Sequence, residues 1–188
     1  MSYENLFDVL ILLFFVAAFI LGYIQGAVRR LIGIVAVLFS FVLAAQLSRH
    51  LGGYLATYWT NWPADYSFML AFLGLFVFFV VVGAIITETT YEKGALLPKY
   101  KHFDPIFGGV LGVVEAAIIL GGMIIIFDSW YALPGVSEVN GEISVIRAFE
   151  RAMDVSAIAD FYRTTLIPAY FAVFGVLIPE QIRAVFHR

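Results

Sequence analysis

The stretch FDPIFGGVLGVVEAAIILGG, residues 103–122, carries past its opening aspartate one carboxylate, Glu115, in a run of glycine and hydrocarbon. On a soluble helix such a residue turns to water, but no polar neighbours mark a wet face here. Extended to Phe127, the apolar run from Ile106 is long enough to cross a hydrocarbon core of roughly 30 Å, which takes about 20 residues. Three further runs read the same way: Leu6–Gln25, Leu31–Leu47 and Tyr66–Ile86, the second being the shortest.

Composition agrees with a lipid solvent. The 188 residues are 62% hydrophobic and 13% charged, with a mean hydropathy of +0.94, whereas globular domains are about 45–50% apolar. Such a chain reads as an all-α integral membrane protein, because a helical bundle satisfies its own backbone polar groups in lipid. Residues 1–127 form the expected four-helix bundle and 128–188 a second region outside it. With no cysteine, disulfides, thiolate metal sites and cysteine nucleophiles are excluded together. The first run begins with Glu4 and Asp8 rather than a basic segment, so it reads as a retained span and not as a cleaved signal peptide.

Only GAVRR separates the first two runs, which predicts a tight antiparallel hairpin with Arg29 and Arg30 at its tip. Basic residues set orientation. Arg29 and Arg30 lie in the first loop and Lys93, Lys99 and Lys101 in the third, against Arg49 alone in the second. Loops one and three are therefore expected in the cytoplasm and the N-terminus outside. Trp59, Trp62, Trp130 and Tyr131 then fall at the outer boundary, where aromatic rings anchor spans.

Beyond residue 128 an acidic loop leads into Ile143, Ile146, Phe149, Met153, Ala157 and Phe161, spaced at three or four residues. This periodicity predicts one amphipathic helix over about 142–163, lying on the membrane or capping the bundle. Residues 166–188 form a membrane-associated tail. Its apolar part, Leu166–Pro179, reads as a re-entrant or interfacial segment, with a fifth span over about 162–178 as the alternative.

Small residues mark two close-packing faces. Ala18, Gly22 and Gly26 recur every four residues in the first span, and Gly108, Gly112 and Ala116 in the fourth. The expected consequence is a crossing of these two helices, with a homodimer seam as the rival. Asp8 and Glu115 are assigned to the same stripes. The pairs Phe7-Asp8 and Phe103-Asp104 open the two spans alike, a hint of an inverted repeat of the transporter kind.

Asp8, followed by Gly26-Ala27-Val28-Arg29 and then by Asp104, Gly108 and Gly112 at four-residue steps, resembles the bacterial colicin V production protein family over about Phe7–Phe127. Two positions depart from the family pattern: Pro105 follows the second aspartate where an arginine is usual, and Glu115-Ala116 stands where Arg-Gly is frequent. The resemblance implies a bacterial inner-membrane protein needed for production or export of a peptide toxin, or for envelope function more broadly.

The chemistry is sparse. His50, His102 and His187 share no metal-ligand spacing, and neither a nucleophile elbow nor a phosphate loop occurs. No enzyme activity, cofactor, metal or nucleic-acid partner is expected; membrane lipids and a membrane-protein partner or second copy are. Asp8, Gly22, Gly26, Arg29, Asp104, Gly108, Gly112 and Glu115 are the candidate functional or packing residues. A charge at mid-span costs about 2.5–3.5 kcal/mol on insertion scales, so Glu115 is expected to face protein or a wet cavity. Three functions follow: a partner-binding component of export or envelope maintenance, a small proton-linked transporter or channel using a neutral Glu115, and a lipid-interacting scaffold.

Overall fold

The computed structural model of the protein describes residues 3–90, 103–131 and 143–174. Four long helices, α1 (Tyr3–Gln25), α2 (Ala27–Tyr58), α3 (Ala64–Thr90) and α4 (Phe103–Tyr131), are followed by α5 (Ser144–Asp154). Then come α6 (Ala157–Phe161), a π-helical turn (Tyr162–Leu166) and α7 (Ile167–Phe174). Among the described residues there is no strand, and α1 to α4 are each long and apolar enough to cross a membrane. The protein is an all-α membrane protein.

Helix α4 is the centre of the bundle. It packs on α1 along one side and on α2 along another, while α3 packs chiefly on α2. Phe41 of α2, Phe76 of α3 and Ile124 of α4 are completely buried where these three helices meet. Phe41 lies edge-on to Phe76, with ring centroids 5.8 Å apart. Much of the remaining apolar surface, such as Leu12, Leu13, Ile20 and Ile24 of α1, is exposed. In lipid such residues need no partner.

Several expectations are corrected. Helices α1 and α2 are joined by Gly26 alone, so Arg29 and Arg30 belong to the first turn of α2 rather than to a loop. The two helices make few contacts with each other, and the hairpin is a sharp corner whose arms separate. Helix α2 is 32 residues long, far beyond the run Leu31–Leu47, and it includes Arg49 and His50. At 1.5 Å per residue it rises roughly 48 Å, overshooting the hydrocarbon. Its distal part is held by α3: a Cβ on Gly52 would lie 2.8 Å from the Phe68 Cα. Of the aromatic residues expected at the membrane boundary, Trp59, Trp62 and Trp130 join Tyr66 in an edge-to-face series, Trp59–Trp62–Tyr66–Trp130, at 4.8, 5.4 and 5.8 Å. Tyr66 and Trp130 are buried and only Trp59 is exposed.

The single amphipathic helix over 142–163 is broken at Val155–Ser156, because Ser156 caps a new helix by accepting the Ala159 N–H at 3.1 Å. Helix α5 caps the bundle: Phe149 packs on Phe7 and Phe127, each at 5.1 Å, and Met153 is fully buried. From Ala157 to Phe174 the backbone is helical without interruption, a rise of roughly 27 Å. The segment descends beside α4 until Tyr170 meets Phe41 at 5.7 Å, at the level of the bundle's middle. It lies against the side of the bundle, with Tyr162 and Ile167 buried and Phe161 and Leu166 exposed. The π turn precedes Pro168, which has no N–H and whose ring crowds the preceding turn; local widening is a standard accommodation of proline in membrane helices. Lys93, Lys99, Lys101, the acidic loop and residues 175–188 lie outside the described residues.

Candidate functional site

The two glycine stripes face each other within one chain. A Cβ on Gly108 would lie 2.8 and 2.9 Å from the Gly26 C and Cα, and one on Gly112 would lie 3.2 Å from the Gly22 Cα. A Cβ on Gly22 would likewise collide with the Gly108 carbonyl oxygen, and one on Gly108 with that of Gly22. The α1–α4 seam is thus backbone against backbone, which only residues without side chains permit.

The seam ends at Gly26, whose φ of 85° lies in the left-handed region. A Cβ there would also lie 2.7 Å from Asp104 Oδ2. Glycine is required twice over, for the turn and for the aspartate. The Asp104 carboxylate consequently sits beside the N-terminus of α2, where the helix dipole favours negative charge, and α2 has no acidic residue of its own in that turn. Gly22, Gly26, Asp104, Gly108 and Gly112 form one contiguous unit.

Next to it lies a charged cleft. The Arg30 guanidinium donates to Glu115 Oε2 at 2.5 Å, with the two side chains only 13% and 14% exposed. Arg29 donates to Glu88 Oε1 at 2.9 Å. Gln25 Nε2 lies 3.5 Å from the other Glu88 oxygen. Glu115 does not point along the α1 seam. Three residues beyond Gly112 it is turned by about 60° around the helix, and it reaches α2 at Gly33, where a Cβ would lie 2.6 Å from Oε1. Burial this deep favours a paired carboxylate over a lone one. Glu115 stands as the partner of Arg30. Around these groups is an open cavity of about 200 Å³, which Thr87 and the apolar Val37, Val80 and Ala84 also line.

Asp8 is at the opposite end of the bundle. There it accepts the Ser156 hydroxyl at 2.5 Å, tying α1 to the break between α5 and α6. At the same end of the bundle the buried Asp128 accepts two bonds from Arg163, at 2.8 and 2.7 Å, and Arg163 also pairs with Asp154 at 2.9 Å. Among the described residues no group of three or more His, Asp or Glu is placed to hold a metal ion.

Arg30, Gly33, Glu88 and the Asp128–Arg163 pair had no assigned site role in the sequence. Glu88 carried a usable signal: nothing that breaks a helix stands between Ile86 and Gly94, so α3 continues past its apolar run.

A family model described as Colicin V production protein matches residues 7–159. The chain belongs to the colicin V production protein family. The match takes in the whole α1–α4 seam, the charged cleft and α5, and so reaches beyond Phe127, where the motif resemblance ends. The π turn and α7 follow the matched stretch. Searches of curated proteins and of solved structures gave no match. As a member of this family with four apolar helices, the protein is a membrane protein of the colicin V production type.

Proposed function

We propose that the protein is a non-enzymatic, multi-pass component of the bacterial inner membrane that supports toxin production or export, or envelope maintenance, by engaging a membrane-protein partner or a second copy of itself. The observation that carries this reading is the separation of its two polar ends. At one end Arg29 and Arg30 are paired with Glu88 and Glu115; at the other Arg163 is paired with Asp128. Between them Phe41, Phe76 and Ile124 are fully buried, and a Cβ on Gly122 would lie 3.0 and 3.2 Å from the Phe76 and Phe41 rings. Conduction needs polar groups continuous across this layer. The Gln25 end is assigned to the cytoplasm from the distribution of arginine and lysine.

The cleft around Glu115 favours a second reading, a proton-linked transporter entered from that end. Crosslinking with mass spectrometry in native membranes separates the two. The component reading expects one partner recovered reproducibly, with no proton or solute flux from the purified protein in vesicles. A flux abolished by Glu115→Gln would replace it with the transporter. A lipid scaffold is less supported, since α5 uses Phe149 and Met153 to pack on the bundle.

A further inference from the structure

We infer that the cleft at the α1–α2 corner binds the headgroup of a zwitterionic amphiphile, a phosphate joined by a short link to a primary ammonium. This site is independent of the partner role proposed above. Its chemistry comes from two ion pairs, Arg29–Glu88 and Arg30–Glu115, that line a cavity of about 200 Å³. A lone phosphate drawn to Arg30 has to displace Glu115, whose side chain is only 14% exposed, and leave it uncompensated beside the anion, a heavy cost for a buried group. A lone ammonium faces the mirror problem. A ligand carrying both signs replaces each partner as it separates the pairs, so every charge stays matched.

Position supports an amphiphile over a wholly polar solute. Gln25 ends α1 and Arg29 lies in the first turn of α2, so the mouth lies at one end of two helices apolar enough to cross a membrane. The inner wall, with Val37, Val80 and Ala84, is apolar. The volume is well above the roughly 10–15 Å³ that one water needs by the same measure, room for a headgroup and not for a whole lipid.

The test uses purified full-length protein in nanodiscs of equal phosphatidylethanolamine and phosphatidylglycerol, released into native mass spectrometry. Retained phosphatidylethanolamine is expected to exceed phosphatidylglycerol by about fivefold or more. In Glu88→Gln, whose side chain is 60% exposed in the wild type and whose loss leaves the buried Arg30–Glu115 pair in place, the ratio falls to about one. Soluble phosphoethanolamine and inorganic phosphate serve as competitors. Displacement by phosphoethanolamine alone identifies the headgroup as sufficient, so that a free solute is also a ligand; displacement by neither assigns the site to the membrane-anchored form. Equal retention of the two lipids, competition by inorganic phosphate as strong as by phosphoethanolamine, or an unchanged ratio in Glu88→Gln would overturn the proposal.

Discussion

Removing Glu115 while keeping Arg30 leaves an uncompensated charge in the bundle, whereas removing both leaves hydrocarbon. Breaking one side of a buried pair costs about 3–5 kcal/mol, and replacing both sides is often neutral or stabilising. Glu115→Leu is therefore expected to lower the thermal midpoint in detergent strongly, and Glu115→Leu with Arg30→Met to recover most of the loss. Additive losses in the double variant would mean that the pair is not coupled. The seam gives a second prediction. Gly108→Leu forces a side chain against the Gly26 backbone, and overpacking of this kind costs about 1–3 kcal/mol or more. The same substitution at Gly53, where a Cβ meets nothing within 4 Å, is expected to change the midpoint little. The seam glycines were legible in the sequence because small residues at four-residue steps have one physical use between helices in lipid. The partner of Glu115 was not. Assigning Arg30 to a loop tip hid the fact that the helix, and with it the guanidinium, begins one residue after Gly26.

Among the elements, α5 shows what periodicity conveys and what it omits. The apolar spacing announced an amphipathic helix, and Phe149 and Met153 do pack on the bundle. The break at Ser156 depends on a tertiary contact, the hydroxyl shared between Asp8 and the Ala159 N–H, which spacing does not report. Asp8→Ala is expected to loosen α5 and α6 from α1, measured as faster proteolysis within residues 143–160 while α2 to α4 stay protected. Inside α5, burial raises the Glu150 carboxyl above the ordinary carboxylate range and Asp154 adds to the shift, against Arg147, Arg151 and Arg163. The folded state therefore holds this proton more tightly than the unfolded one. The stability linked to it is complete below the ordinary glutamate value of about 4.3, and is lost as pH rises through the raised value. Glu150→Gln keeps the neutral form at every pH, so its thermal midpoint is expected to exceed that of the wild type at pH 7 and to match it near pH 4.

At the scale of the whole molecule, the four runs of hydrocarbon were enough to specify an all-helical membrane bundle, because length and apolarity alone decide what can cross lipid. They could not specify that α4 is central or that the tail helix descends to Phe41, since in lipid every apolar face is equally at ease until shape distinguishes it. The absence of cysteine makes orientation simple to check. Thr57→Cys, exposed at the far end of α2, is expected to react with an impermeant thiol reagent added outside intact cells, and Glu88→Cys only after the membrane is opened. The reverse pattern would invert the bundle. Gly26 has a consequence for biosynthesis. By turning α2 sharply away, it leaves α1 without its principal neighbour while α2 and α3 are still being made. During that interval the helix rests in lipid alone, its glycine edge uncovered, and the seam closes only when α4 emerges. A chain stopped after α3 is therefore expected to insert α1 yet fail to assemble it, exposing that edge to other membrane helices and to quality-control proteases.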